Sequence, residues 1–278
     1  MQIPPRPLLL SLLALALTCS FGFAGELASL GREILTHNQQ AVVTLTVVMK
    51  VNGPRGRSSE SREEITGTVI DPSGLIVVAL SACDPTEMYR RISEDYKIEI
   101  EVSDIKILLP DGSEVSGEIV LRDKDFDLAF IRPKVKLAAP MPAIDLSKSG
   151  TAQVFDDVIT LNRLNRAASR AYAASLEHIA AVVQKPRTFY IPDSSMSTTT
   201  LGSPAFLPDG KLLGIFVMRA VNSAGGEASY RQNMTSIILP AEDIANAAKQ
   251  APEVKPVEEK KPTAAESTTP PSGGSEKK

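Results

Sequence analysis

The chain is poor in cysteine and histidine, and each shortage excludes a class of protein. It has two cysteines and two histidines among its 278 residues. Cys19 lies in the N-terminal segment described below, so a mature chain keeps Cys83 alone and can form no intrachain disulfide. Cysteine and histidine do not cluster, and the acidic run from Asp123 to Asp127 lacks the glycine and glutamate of an EF-hand loop. The sequence therefore predicts no metal site and no cofactor.

An excess of positive charge is also missing. The formal net charge at pH 7 is −3, because 30 Lys and Arg residues face 33 Asp and Glu residues. A protein that neutralises nucleic-acid phosphates needs a basic surface. The charge balance therefore predicts that nucleic acid is not a partner.

The N-terminus lacks an apolar run long enough for a transmembrane helix. Leu8–Leu17 is a ten-residue apolar run, whereas a bilayer span needs about 20 residues. Arg6 precedes this run and small residues lead to Ala24, which is the pattern of a secretory signal peptide. Residues 1–24 are predicted to be removed, which gives an exported protein, periplasmic or extracellular, with no integral membrane segment. The alternative is that the run forms a buried first helix.

What the chain does contain is a series of β runs separated by glycine-tipped turns. Ala41–Val51 is rich in β-branched residues and is predicted to be a strand. The polar stretch Asn52–Glu63 is predicted to be an exposed hairpin loop. Residue types that favour tight turns recur at Asp71–Gly74, Pro110–Gly112 and Pro208–Gly210. The sequence therefore predicts a mostly β protein.

One hairpin carries a resemblance to a known family. Thr198–Ile215 reads as a loop, a short strand, a Pro-Asp-Gly turn and a second apolar strand. It resembles the nucleophile segment of chymotrypsin-like (trypsin-fold) serine proteases of the HtrA/Deg type. Their pattern is Gly-Asn-Ser-Gly-Gly-Pro, then a strand, an Asp-Gly turn and a strand ending in Gly-Ile. Alignment on Gly202 and Pro204 puts Leu201 at the position of the nucleophilic serine and Thr199 at that of the first glycine.

Two further segments extend the resemblance over about residues 38–250. Ile65–Leu80 is similar to the family's strand, Asp-x-x-Gly turn and strand, and the count from that turn puts Ser81 at the position of the catalytic histidine. Arg122–Ile131 resembles the segment Asp-x-x-x-Asp-Leu-Ala, in which Asp127 matches the aspartate of the catalytic triad. The three segments follow one another in the family's order.

The resemblance implies a fold and a domain organisation. The expected class is mostly β, a chymotrypsin-like double antiparallel β-barrel with a C-terminal helix. The trypsin-like domain would cover residues 25–250, with a first barrel over about 38–135, a second over about 150–240 and the helix over 240–250. The stretch 251–278 is rich in Pro, Lys and Glu and has no aromatic residue, so it is predicted to be a disordered tail. HtrA proteins often continue with a PDZ domain, for which this stretch is too short.

The resemblance also implies that the catalytic apparatus is degenerate. In this mechanism a serine attacks, a histidine takes its proton and an aspartate orients the histidine. Leu201 has no nucleophilic atom and Ser81 is no base. Thr199 is β-branched and resists the backbone conformation that aims the oxyanion donors. Of the matched positions only Asp127 is retained, so no functional catalytic residue is expected.

Asp127 should then find new partners for its carboxylate. If the fold is right, Ser81, Asp127 and Leu201 converge in one cleft between the barrels. We expect the Ser81 hydroxyl, backbone N–H groups or water to replace the lost imidazole, because a buried carboxylate without donors is costly. Leu201 is expected to cover the mouth of the cleft. The alternative is that Asp127 has turned outward and is solvated.

Other nucleophiles and bases have little support in the sequence. Ser203 lies two residues after Leu201, and Ser194, Ser195 and Ser197 lie before it. A serine needs a base, and the only histidines of the mature chain are His37 and His178. A Ser–Lys dyad is a further alternative, for which no spacing argues. Both histidines are expected to have surface or structural roles. Cys83 is flanked by apolar residues and is expected to be buried and inert.

The sequence therefore favours an exported HtrA-type homologue that has lost catalysis. It would act as a binding, scaffolding or regulatory protein on a protein or peptide ligand. Two alternatives stay open: an active serine endopeptidase with an unrecognised nucleophile, and an envelope structural protein that works through its tail. The sequence leaves open whether the protein is an oligomer.

Overall fold

A computed structural model describes residues 22–53, 58–87, 99–193, 200–220 and 234–253. The predicted signal peptide 1–24 and the predicted tail 251–278 therefore lie almost entirely outside the described residues. The first element is helix α1, Gly22–Asn38, which a single 3₁₀ turn joins to the first strand. Within the described ranges, no helix combines the length and the apolar character that a membrane crossing requires.

The first six strands close into one antiparallel barrel. Their spatial order is β1-β2-β3-β6-β5-β4. A short helix, α2 (Leu80–Cys83), follows β3. The strands are β1 (Val42–Asn52), β2 (Ser58–Asp71), β3 (Leu75–Ala79), β4 (Glu99–Leu108), β5 (Glu114–Asp123) and β6 (Leu128–Pro133).

The last six strands close into a second antiparallel barrel. Their spatial order is β10-β11-β12-β9-β8-β7. Helix α3 (Ala241–Ala248) follows the final strand. The strands are β7 (Asp157–Arg163), β8 (Tyr172–Val183), β9 (Phe189–Pro192), β10 (Pro204–Phe206), β11 (Leu212–Ala220) and β12 (Met234–Pro240). The structure thus confirms the predicted fold class, a chymotrypsin-like double barrel with a C-terminal helix.

Small residues let the first barrel pack tightly inside. A Cβ atom at Gly67 would lie 2.6 Å from Leu45 Cδ1 and 2.7 Å from Ile76 Cγ2, so only glycine fits at this point of β2. Leu45, Ile76 and Val78, the three nearest side chains, are all fully buried. The β-branched composition of these strands is what fills a small barrel at high density.

A separate apolar cluster joins the two barrels. Val77 and Phe130 of the first barrel pack with Ile215 and Val217 of the second, and α3 adds Ile244. Each of these side chains is at most 1 % exposed. Burial of this size on both partners holds the barrels in one arrangement, and the candidate site lies beside this cluster.

The predicted loop Asn52–Glu63 is wrong over its second half. Strand β2 begins at Ser58, and Lys50 pairs with Glu60 across the hairpin. The side chains from Ser58 to Glu64 are mostly exposed, as their polarity suggested. Polar side chains on an exposed ribbon do not prevent backbone pairing, because the long strand β1 supplies the hydrogen-bond partners.

Candidate functional site

Ser81 is positioned by the end of strand β3. The strand stops at Ala79 and turns directly into the four-residue helix α2. The backbone N–H of Leu80 donates to the backbone carbonyl of Asp127 at 2.8 Å. This bond fixes the turn, so that the next residue, Ser81, faces the Asp127 side chain.

Asp127 sits at the turn before strand β6 with a left-handed backbone. Its φ is +57°, a region in which aspartate is tolerated better than most residues. The Ser81 backbone N–H donates to Oδ1 at 2.7 Å and the Ser81 hydroxyl donates to Oδ2 at 2.8 Å. The Met218 backbone N–H donates to Oδ2 at 2.7 Å. The carboxylate therefore accepts three short hydrogen bonds.

One of these bonds crosses between the barrels, because Ser81 and Asp127 belong to the first barrel and Met218 lies on β11 of the second. The sequence separations are 46 residues to Ser81 and 91 residues to Met218. The expected replacement donors, a hydroxyl and backbone N–H groups, are therefore present. The alternative of an outward, solvated Asp127 is wrong.

Leu201 lies on the other side of the same inter-barrel region, and Gly202 fixes its place. Gly202 has φ +87°, its N–H donates to the Phe216 carbonyl at 2.8 Å, and its carbonyl accepts from the Thr68 hydroxyl at 2.7 Å. Phe216 is two residues before Met218 on β11, a rise of about 7 Å. A Cβ at Gly202 would lie 2.1 Å from the Thr66 carbonyl oxygen, so glycine is required. The segment beside Leu201 is thus pressed against β2.

A cavity of about 200 Å³ opens beside the Asp127 corner. Ser81, Asp127 and Met218 line it, and among the described residues Leu201 does not. Leu201 is 5 % exposed, so it is packed into the interior and does not cover the mouth, contrary to expectation. Leucine prefers the dry contact between the barrels to the wet rim of a charged cavity.

Thr199, which the resemblance aligns with the first glycine of the nucleophile segment, lies outside the described residues, as do Ser194, Ser195 and Ser197. Ser203 is described and fully buried, and within the described part of the chain its hydroxyl has no hydrogen-bond partner. Without an exposed path or a base beside it, Ser203 does not have the setting of a nucleophile.

Cys83 and His178 have the settings expected of them. Cys83 is fully buried, and burial raises the pKa of its thiol well above the ordinary value, which keeps the thiol protonated and inert. The ring of His178 lies between two carboxylates, with Nδ1 3.1 Å from Asp193 and Nε2 3.2 Å from Asp157. The backbone N–H and then the ring of His178 hold the pKa of Asp193 below its ordinary value. No group of three or more metal-ligating side chains occurs among the described residues.

Two arginines on the cavity wall were missed by reasoning from sequence. The Arg187 guanidinium lies 4.3 Å from the centroid of the Phe126 ring, and the Arg219 guanidinium lies 4.8 Å from that of Phe189. All four side chains line the cavity. Arg187 lies just before β9 and Phe126 just before β6, so no local pattern brings them together.

Two closed antiparallel barrels with a half-buried aspartate at their junction define the chymotrypsin-like class of protein. A family profile described as a trypsin-like peptidase domain matches residues 65–215, a range that includes Ser81, Asp127 and Leu201. No curated protein matches the chain. The chain belongs to the trypsin-like peptidase domain family.

Proposed function

We propose that this protein is an HtrA-type member of the family that has lost catalysis and binds a protein or peptide ligand. The ligand would lie in the cavity beside Asp127, and the role would be binding, scaffolding or regulation. The signal-like segment 1–24 supports export to the periplasm or the extracellular space.

The observation that carries the proposal is the set of partners of Asp127. In an active triad this carboxylate receives the N–H of an imidazole that acts as the general base. Here the carboxylate receives the hydroxyl and backbone N–H of Ser81 instead. A serine hydroxyl has no basic nitrogen that could take a proton from a nucleophile near neutral pH.

The nucleophile position supports the same proposal. Leu201 has no atom that can attack a carbonyl, and it is buried at 5 % exposure. Loss of the nucleophile or the base alone costs about a millionfold in a serine protease of another fold. Loss of both leaves the groove as the part of the family's apparatus that remains useful.

Serine reactivity tests the loss of catalysis. The mature protein is incubated with a fluorophosphonate probe and separately with casein, with trypsin as the positive control. We expect neither labelling nor cleavage. Stoichiometric labelling of any serine would favour the active endopeptidase, and mass spectrometry of the labelled peptide would identify the nucleophile.

Chemical shifts test the binding role. A digest of casein is added to the isotopically labelled mature protein, and the amide signals of Ser81 and Met218 are followed by NMR, with His178 on the surface of β8 as the reference. We expect shifts at the two cavity residues and none at the reference. A variant without residues 251–278 should respond equally, whereas loss of the response would favour a protein that works through its tail.

A further inference from the structure

Two arginines in the cavity wall form no ion pair with a carboxylate of the described residues. Arg187 and Arg219 are both half-buried, and neither forms a salt bridge with any described residue. A half-buried guanidinium normally finds an acceptor, because its charge is costly to remove from water. Among the described residues, these two half-buried groups therefore have unused donor capacity.

The arginines are held in place by aromatic rings. Arg187 stacks on Phe126 and Arg219 stacks on Phe189, at 4.3 and 4.8 Å from the ring centroids. Phe189 is 5 % exposed, and both rings pack against the cluster between the barrels. Stacking uses the flat face of a guanidinium and leaves its N–H edge free. The two forks are thus preorganised for a ligand.

Acidic groups near the arginines are mostly engaged elsewhere. Asp84 pairs with Arg122 at 3.1 Å and Glu87 pairs with Lys124 at 2.6 Å. The Asp127 carboxylate accepts from Ser81 and Met218.

Two further carboxylates, those of Asp243 and Asp125, lie near the two arginines. Asp243 of α3 lies near Arg187 without forming an ion pair with it, and burial raises the pKa of the Asp243 carboxyl while Arg187 opposes that rise. Asp125 is exposed at the rim. Neither carboxylate occupies the N–H edge of Arg187 or Arg219 in a described ion pair.

We propose that Arg187 and Arg219 bind carboxylate groups of an acidic peptide segment that lies in this cavity. The inference rests on the proposed function and specifies the ligand of the same site. A planar fork matches a carboxylate through two parallel hydrogen bonds. Two such forks in one cavity select a segment with at least two acidic side chains, and Ile237 and Leu239 add apolar lining to the same cavity.

The probes are two capped peptides, hexaglutamate and hexaglutamine, which differ in charge and hardly in shape. Binding to the mature protein is measured by calorimetry at low salt, and the side-chain Nε–Hε signals of Arg187 and Arg219 are followed by NMR. We expect hexaglutamate to bind at least tenfold more tightly than hexaglutamine and to shift both signals. Added salt should weaken this binding, because the contacts are ionic.

Substitutions assign the contact to the two arginines. Arg187→Ala and Arg219→Ala should each weaken hexaglutamate binding by about tenfold or more, because each substitution removes charge-assisted hydrogen bonds to a carboxylate. The affinity of Arg187→Lys for hexaglutamate should lie between that of the unchanged protein and that of Arg187→Ala, because lysine keeps the charge and loses the planar guanidinium. Arg166→Ala is the matched control, because Arg166 is an exposed arginine in a surface turn, and it should not change the affinity. Thermal melts check that each variant is folded, and the shifts in the unchanged protein do not depend on any variant.

Each other outcome overturns a stated part of the inference. Equal binding of both peptides with shifts at Ser81 and Met218 would overturn the acidic specificity and leave the peptide-binding role intact. Binding of inorganic phosphate but of neither peptide would overturn the carboxylate ligand. No binding of any probe would overturn the inference. Serine labelling by the fluorophosphonate probe would contradict the loss of catalysis alone.

Discussion

The two sides of the inter-barrel site differ in polarity and in exposure. On the first-barrel side, Ser81 and Asp127 remain polar, hydrogen-bonded and open to the cavity. On the second-barrel side, Leu201 is apolar and buried. A polar corner whose carboxylate has donors lines an open cavity, whereas a leucine in the same region becomes part of the core. The comparison teaches that two sides of one inter-barrel site can differ in polarity, so that only the polar side lines the cavity.

The largest expected effect tests how tightly the Gly202 backbone packs against strand β2. Gly202→Ala should cost more than about 4 kcal/mol of unfolding free energy, because the new Cβ would lie 2.1 Å from the Thr66 carbonyl at φ +87°. Gly112→Ala is the control, since Gly112 has φ +85° and nothing within 4 Å of an added Cβ. The control substitution should lower the free energy of unfolding by about 1 kcal/mol. Urea unfolding followed by circular dichroism measures both, and equal losses would show that the loop is not packed against β2.

The second-largest expected effect tests the hydrogen bonds that the Asp127 carboxylate accepts. Asp127→Ala should cost about 4 kcal/mol, because it leaves the backbone N–H groups of Ser81 and Met218 without an acceptor and puts alanine at φ +57°. Asp125→Ala, at the exposed neighbouring aspartate, should change the unfolding free energy by less than about 0.5 kcal/mol. Similar urea midpoints for the two variants would contradict the three-bond network.

A somewhat smaller effect tests whether Leu201 belongs to the core. Leu201→Ala should lower the unfolding free energy by about 3 kcal/mol, the cost of emptying a buried leucine site. Leu176→Ala is the matched control, because Leu176 is 49 % exposed and loses little buried area. If thermal melts show both substitutions to be neutral, Leu201 is at the mouth of the cleft, as first expected.

The smallest effect separates the Ser81 side chain from its backbone. Ser81→Ala removes the hydrogen bond from the Ser81 hydroxyl to Asp127 and keeps the one from the backbone N–H. We therefore expect the free energy of unfolding to fall by about 1 kcal/mol. The exposed Ser113 hydroxyl also donates to an aspartate, Asp111, at 2.6 Å, and Ser113→Ala should show no measurable change in the urea midpoint. A loss at Ser81 as large as that of Asp127→Ala would show that the hydroxyl, not the backbone, carries the network.

Much of the fold could be predicted because its signals are local. Turn residues and β-branched runs marked the hairpins, and the anchor segments placed Ser81 beside Asp127. Strand β9, four residues long, gave no periodic signal and was missed. The start of β2 was missed because its polar side chains resemble a loop, while its pairing depends on β1. Short or polar strands are defined by their neighbours more than by their own residues.

The amino-acid order alone specified which atoms the site would have. Reading Leu201 and Ser81 was enough to expect that a nucleophile and a base were missing, since side-chain chemistry does not depend on the fold. The tertiary structure determined where those side chains lie and which groups they contact. It buried Leu201, gave Asp127 a donor from a strand 91 residues away, and stacked Arg187 on Phe126 at the cavity wall. These contacts join distant segments that become neighbours only when both barrels close, so the physical cause lies in long-range packing and not in any local pattern.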